Sequence, residues 1–460
     1  MRGLVVRFHS PAPDTMSKLR DVLREPNFLF VWLGQIISQF GDKFAMMALV
    51  GLVSQRAPGS AYELAKLFIF VIIPVFIVGP VAGVYCDRWS KKWTMIISDI
   101  VRGLLIFSIV MYWVWVPTLK PVFPVYIIVF IMFSVTRFFI PAKMSIVPQL
   151  VTGDKLLKAN SLMHTTGMIA SALGFGLGGI IVSMPKIGVK GALIIDGFTF
   201  FISALLVSFV RKKEVISAVK ESIGEIGRNV KEIIQQSVFA EIKHGVKHII
   251  EHRKMHFVIG LLFILASGIG ASQVVVIVFI QNALASVTRD LGLLIMLFGA
   301  GLFCGALIYG KIGEKFSKVK AIFLSLILGG IFLIQFVILV GIFESFFMAA
   351  AIAFLFGGAV SPILISSNTI VHELIPEEAH GRVFSSLEAV VHLAYLVFML
   401  LSAVVAEFIS SFSILLIVGS VFILSGTLGI RRVANKKKAL DNSGALNIQQ
   451  TTEQERGKLC

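Results

Sequence analysis

The sequence predicts an all-α membrane protein of twelve transmembrane helices arranged as two related six-helix halves. Three observations carry that prediction: apolar runs of bilayer length recur along the chain, its cations are sorted by side, and two pairs of loops repeat at a nearly constant offset.

The chain has 460 residues, of which 57% are hydrophobic and 15% charged, with a mean hydropathy of +0.90. That is more apolar surface than one water-soluble core can hide. A bilayer core of about 30 Å takes roughly 20 apolar residues per helical span. Runs of that size cover 28–53, 64–85, 93–116, 122–140, 161–184 and 190–210 in the first part of the chain. In the second part they cover 257–282, 289–310, 320–342, 346–370, 384–408 and 411–430. In hydrocarbon every backbone polar group needs an internal partner, and these runs lack the period-two alternation of a membrane barrel, so helix is the reading. The 40 glycines suit helices that cross closely.

The formal net charge of +16 raises a nucleic-acid reading, which the distribution of the 42 Lys and Arg residues excludes. With both termini in the cytoplasm, 33 fall in cytoplasmic segments. Six fall in the opposite loops (Arg56, Lys66, Lys120, Lys186, Lys190 and Arg289) and three within spans (Lys43, Arg102 and Arg137). Orientation by the positive-inside rule and attraction to anionic headgroups account for the charge. The partners expected are therefore membrane lipids and a lipophilic small-molecule substrate, with no nucleic acid and a monomeric chain. Segment 1–27 has no cleavable signal shape. Cys86, Cys304 and Cys460 are too scattered for a disulfide framework and read as free thiols.

Self-similarity gives the domain plan. Between spans 2 and 3 the chain reads Gly83-Val-Tyr-Cys-Asp87-Arg88-Trp89-Ser90-Lys91-Lys92; between spans 8 and 9 it reads Gly310-Lys-Ile-Gly-Glu314-Lys315-Phe316-Ser317-Lys318, with Glu314 lying 227 residues after Asp87. After span 4 come Ser145-Ile-Val-Pro148 and Lys158-Ala-Asn-Ser161; after span 10 come Thr369-Ile-Val-His372 and Arg382-Val-Phe-Ser385, with Arg382 lying 224 residues after Lys158. Nearly equal offsets imply duplication of a six-helix unit, giving halves 28–210 and 257–430 with substrate expected between them. The linker 211–256 reads as a basic amphipathic cytoplasmic stretch, and the polar tail 431–460 as disordered.

The first of these loops resembles the signature of the major facilitator superfamily, which Gly83, Asp87, Arg88, Lys91 and Lys92 match while Ser90 replaces a usual Gly. The chain is similar to that superfamily's drug-efflux branch, the macrolide-efflux and enterobactin-exporter group, over about residues 24–430. The resemblance rests on Ser38-Gln-Phe-Gly-Asp42, Pro141-Ala142, Pro148, Ala159-Asn160-Ser161, Asp196 and Gly381-Arg382-Val-Phe384. Pro141-Ala-Lys143 and the run 155–163 also resemble lysophospholipid transporters. The resemblance implies the major facilitator fold, alternating access, no enzymatic chemistry and no cofactor, with a proton gradient as energy source. The antiporter stretch of span 5 reads Gly174-Phe-Gly176-Leu-Gly178-Gly179 and lacks its Pro, so close helix crossing is expected there more firmly than antiport.

Ionisable groups at membrane depth are functional candidates by default. Asp42, in the middle of span 1, is the first candidate for proton or substrate-cation binding, with Lys43 turned away from it. Glu388 and His392, four apart on span 11, share a helical face and form the second candidate pair. Asp99 and Arg102, three apart on span 3, are expected to pair locally. With Arg137 on span 4, which could reach Asp87 or Asp99, they are assigned to a cytoplasmic gate together with Gly83, Asp87, Arg88, Lys91 and Lys92. Gly310, Glu314, Lys315, Lys318 and Arg382 form its repeat in the second half. His248-Ile-Ile-Glu251-His252 matches a zinc-peptidase pattern but lacks a third ligand, so no metal site is assigned. No phosphate-binding loop is present. The sequence leaves three functions open: export of amphipathic or drug-like molecules driven by protons, which is preferred; a lysophospholipid flippase; and a membrane scaffold or sensor.

Overall fold

The computed structural model describes residues 22–115, 123–211, 253–284, 287–313, 316–374 and 380–457. The side chains at 84, 87–88, 153–154, 253–258, 368, 371–374, 380–389 and 436–457 lie outside that description. Apart from a short lead-in at Val22–Leu23, the regular structure is a succession of helices. These are α1 (Pro26–Arg56), α2 (Ala61–Ile77), α3 (Gly79–Arg88), α4 (Lys91–Trp115), α5 (Phe123–Leu150), α6 (Gly153–Ser183) and α7 (Gly188–Ser208), then α8 (Arg253–Ala283), α9 (Val287–Ile312), α10 (Lys318–Phe343), α11 (Phe346–Leu374), α12 (His380–Val405) and α13 (Ser411–Gly457). Among the described residues, ten helices are long and apolar enough to cross a membrane, with Val390–Val405 of α12 a shorter apolar stretch.

The expected spans correspond to these helices with one break and several extensions. Span 2 is two helices, because Pro80 at the head of α3 cannot donate the bond that would continue α2 across Val78. α5 runs through Pro141 and Pro148, beyond the expected end at 140. α13 continues to Gly457, into the segment 431–460 expected as a disordered tail. Its first part, Lys436-Lys-Lys-Ala-Leu440, is made of good helix formers that extend a helix already nucleated by the apolar run from Ser411. The amphipathic linker and His248, Glu251 and His252 lie outside the described residues.

Local chemistry fixes several starts. The hydroxyls of Ser60, Ser90 and Ser410 accept the backbone N–H of Glu63 (3.2 Å), Trp93 (3.4 Å) and Ser413 (3.3 Å), capping α2, α4 and α13. Ser90, the residue that replaces the signature glycine, therefore caps α4; it has no positive φ.

The chain divides into two compact units: Met1–Arg56 with Lys66–Ala240, and Ala57–Ala65 with Glu241–Cys460. In the first, α1 packs on α6 and α7, α4 on α5 and α7, and α3 on α5. In the second, α8 packs on α12 and α13, α10 on α11 and α13, and α9 on α11. The second pattern is the first advanced by six spans, as duplication requires. Helix starts repeat with it: Pro26 and Arg253 are 227 residues apart, as are Lys91 and Lys318, while Phe123 and Phe346, like Gly188 and Ser411, are 223 apart. Even a close approach is duplicated. A Cβ on Gly41 would overlap Thr199 of α7, and one on its counterpart Gly268 would overlap Phe422 of α13, the counterpart of Thr199.

Small residues also decide how α6 meets α1. A Cβ on Gly174 would stand 3.0 Å from Lys43 Cβ, and one on Gly178 would stand 3.1 Å from Phe44 Cα. The glycine run of span 5 thus permits the close crossing expected of it.

Candidate functional site

The first unit holds a charged cluster at membrane depth, built from four helices. α4 supplies Asp99 and Arg102, three residues apart, so both point the same way. Arg102 Nη2 donates to Asp99 Oδ1, and Ser203 of α7 donates to Asp99 Oδ2 at 2.7 Å. Nη1 of Arg102 lies 3.9 Å from Asp42 Oδ1 on α1. The guanidinium is clamped between the rings of Phe139 (α5) and Phe200 (α7), 4.4 and 4.3 Å from their centroids. Such stacking holds a planar cation in one orientation while its edges stay free for carboxylates. Lys143 of α5 lies within electrostatic reach of both Asp42 and Arg102.

A third carboxylate, Asp196 of α7, lies fully buried beside the cluster, within electrostatic reach of Asp42, Asp99 and Arg102. The Thr199 hydroxyl lies 3.3 Å from its Oδ1, and its Oδ2 has no hydrogen-bond partner among the described residues. The members differ sharply in access: the side chains of Asp99 and Arg102 are 0% and 2% exposed, whereas that of Asp42 is 38% exposed. Asp42 is the open end of a sealed network. Three carboxylates meet one clamped guanidinium and one lysine ammonium, so full ionisation would leave surplus negative charge in a low-dielectric setting.

Asp42 and the Asp99–Arg102 pair, assigned by sequence to a binding site and to a gate, are thus one assembly. The local Asp99–Arg102 pair stands where expected. Lys43 turns to the other face of α1, its Nζ 5.2 Å from the centroid of Phe175. Asp196 entered the sequence reading only as part of a resemblance. The rule that selected Asp42, an ionisable group inside an apolar run, selects it equally. Lys143 and Ser203 carried no such signal, since only folding brings α5 and α7 to α4.

Lys91 and Lys92 have a role the sequence reading did not foresee. Lys91 Nζ donates to the carbonyls of Cys86 and Trp89, closing the C-terminal end of α3. Lys92 Nζ donates to the carbonyls of Ser208 and Val210, each at 2.8 Å, closing that of α7. Both cations complement orphan carbonyls and the negative end of a helix. A Cβ on Gly83 or on Gly310 would meet nothing within 4 Å, so close packing does not demand glycine at either position. Arg137 stands on α5 two residues before Phe139, and the Asp99 carboxylate accepts from Arg102 and Ser203. Lys318 opens α10 as Lys91 opens α4. His164 is exposed on α6 and His392 half-buried on α12. Glu314 and Lys315 lie outside the described residues, and Asp87, Arg88, Arg382 and Glu388 outside the described side chains. Neither Cys86 nor Cys304 forms a disulfide among the described residues, and the Cys86 thiol donates to the Phe138 carbonyl at 3.1 Å.

A family profile described as the Major Facilitator Superfamily matches residues 31–281 and again 257–453. Macrolide efflux protein A of Streptococcus pyogenes is 24% identical over 411 residues, 87% of this chain and 93% of its own. The uncharacterized MFS-type transporter YfiS of Bacillus subtilis is 23% identical over 426 residues, 89% of this chain and 95% of its own. Among solved structures, a bacterial homologue of the iron transporter ferroportin in the inward-facing state superposes with a TM-score of 0.66 at 14% identity, covering 89% of this chain and 98% of that one. The last likeness is one of fold.

Proposed function

Because this chain belongs to the Major Facilitator Superfamily and is a multi-pass membrane transporter rather than an enzyme, we propose that it exports amphipathic, drug-like molecules by alternating access, driven by protons. The observation that carries the reading is the ion pair between exposed Asp42 and sealed Arg102, backed by Asp99 and Asp196. A proton bound at Asp42 cancels its attraction for Arg102 and leaves the guanidinium to Asp99 alone. Loss of that proton restores the pull of α1 on α4. An accessible acid coupled to a clamped buried cation therefore converts protonation into a force between two helices of one unit. Asp196, whose Oδ2 has no donor among the described residues, is the second place where the cluster can hold a proton.

Export, rather than uptake, is supported by the likeness to a protein named for macrolide efflux. The sorting of 33 cations against six supports a bacterial-type plasma membrane with both termini cytoplasmic. The monomer is the working unit in this reading.

Flux in proteoliposomes tests it, with wild type compared to Asp42→Asn, with and without an imposed pH gradient, and with lipophilic drugs and a labelled lysophospholipid as cargo. Drug movement that follows the gradient and disappears in the variant is expected. Lysophospholipid movement indifferent to the gradient would replace the reading with a flippase, and no movement of either cargo would point to a scaffold or sensor.

A further inference from the structure

The second unit holds a half-open cavity of about 360 Å³ among α8, α9, α10, α11 and α13. Its position in the repeat gives it meaning. Ile269, Leu326 and Gly329 line it, and they hold the repeat positions of Asp42, Asp99 and Arg102 in the first unit. Phe422, the counterpart of Thr199, closes one wall. Where the first unit seats Arg102, the largest of its fully buried side chains, the second has a glycine and leaves the space open. A Cβ on Gly329 would make only ordinary contacts, 3.4 Å to Phe356 and 3.5 Å to Val360.

We propose that this cavity is a binding site for an uncharged, lipophilic molecule, contained within the second half at the place where the first half keeps its charge cluster. Among the described residues no ionisable side chain lines it; the rings of Phe298, Phe336 and Phe356 do. A charged ligand would lose its hydration there with no counterion, whereas a hydrocarbon or aromatic one loses nothing. The size lies within the roughly 300–1,000 Å³ of small-molecule sites. Three polar residues, Ser272, Gln273 and Ser325, break the apolar wall. The Ser272 hydroxyl donates to the Gly268 carbonyl at 2.8 Å, which leaves its oxygen as an acceptor, and the Gln273 amide offers both donor and acceptor. The ligand class is accordingly a hydrocarbon-rich body with at most one or two hydrogen-bonding groups. Such chemistry comes either from the tail of a bilayer lipid or from a free lipophile. The inference stands independently of any proton on Asp42.

The test is titration of the full-length protein, in phosphatidylcholine nanodiscs, with N-phenyl-1-naphthylamine, an uncharged fluorescent lipophile. Wild type and Leu324→Phe, which alters an exposed position of α10, should bind one saturable equivalent. Gly329→Leu and Ser325→Phe, which fill the cavity, should bind at least tenfold more weakly, and Gly329→Ala, which the surrounding contacts tolerate, should fall between. Native mass spectrometry separates the two sources: phospholipid retained by wild type and lost in Gly329→Leu identifies a lipid tail as resident, and a clean wild-type mass with saturable probe binding identifies a free lipophile. Non-saturable partition of the probe, identical in all variants, together with no retained lipid, overturns the proposal.

Discussion

Arg102 Nη1 stands 3.9 Å from Asp42 Oδ1 while Nη2 of the same guanidinium is bonded to Asp99, so one clamped cation serves an exposed and a sealed carboxylate at once. The first is partly open and the second sealed, which divides the roles in the predictions below.

Asp42→Asn is expected to leave the fold intact, since the pair it breaks is long and the carboxylate is partly exposed. Gradient-driven flux per folded protein should fall at least tenfold. Asp42→Glu should retain part of it. Proteoliposome flux normalised to reconstituted protein measures both, and full activity in Asp42→Asn would remove this residue from the coupling.

Arg102→Met should be the most damaging single change in the first unit. It strands Asp99, whose side chain is 0% exposed, and empties the clamp between Phe139 and Phe200. Losing one partner of a buried pair costs about 3–5 kcal/mol. The double variant Asp99→Asn/Arg102→Met should recover much of that stability without recovering transport. Thermal unfolding monitored by tryptophan emission reads the first effect and flux the second.

Asp196→Asn separates coupling from stability in the opposite sense. It replaces a buried carboxylate that has an unpartnered oxygen by a neutral amide, so thermal stability should hold or rise. Substrate movement should then lose its dependence on the pH gradient. Coupled transport that survives unchanged would remove Asp196 from the coupling.

Lys92→Gln weakens the capping of the Ser208 and Val210 carbonyls at the end of α7. Charge-assisted hydrogen bonds are worth about 1.5–3 kcal/mol each at most, and less at a half-exposed site. Amide hydrogen exchange should accelerate over the last turn of α7 while α4 stays protected. Unchanged exchange there would return Lys92 to the gate role suggested by its sequence motif.

Gly178→Val should separate α6 from α1, because a Cβ at that position already stands 3.0 Å from the Phe44 ring. Overpacking of this kind costs about 1–3 kcal/mol, read as a lower unfolding temperature. The same change at Gly83, where a side chain meets nothing within 4 Å, should be nearly silent.

The sequence by itself determined the parts that follow from one-dimensional pattern. Span number and spacing follow from hydropathy because lipid admits few alternatives to helix, and the duplication follows because offsets survive divergence of the residues between them. The i,i+3 relation between Asp99 and Arg102 followed from helical geometry alone. Local detail was less legible: the break before Pro80 and the run of α5 through Pro141 and Pro148 depend on what neighbouring helices supply to the interrupted backbone.

Only the tertiary structure decided which distant charges belong together. Asp42, Arg102, Asp196 and Ser203 come from α1, α4 and α7, and the pairing of those helices is set by packing, as where Gly41 lets α1 approach Thr199. Nor could the sequence show that Gly329, opposite Arg102 in the repeat, leaves a cavity rather than a collapsed core. Whether removal of a side chain opens space depends on how far the surrounding helices can close, and that is a property of the packed bundle and not of any segment in it.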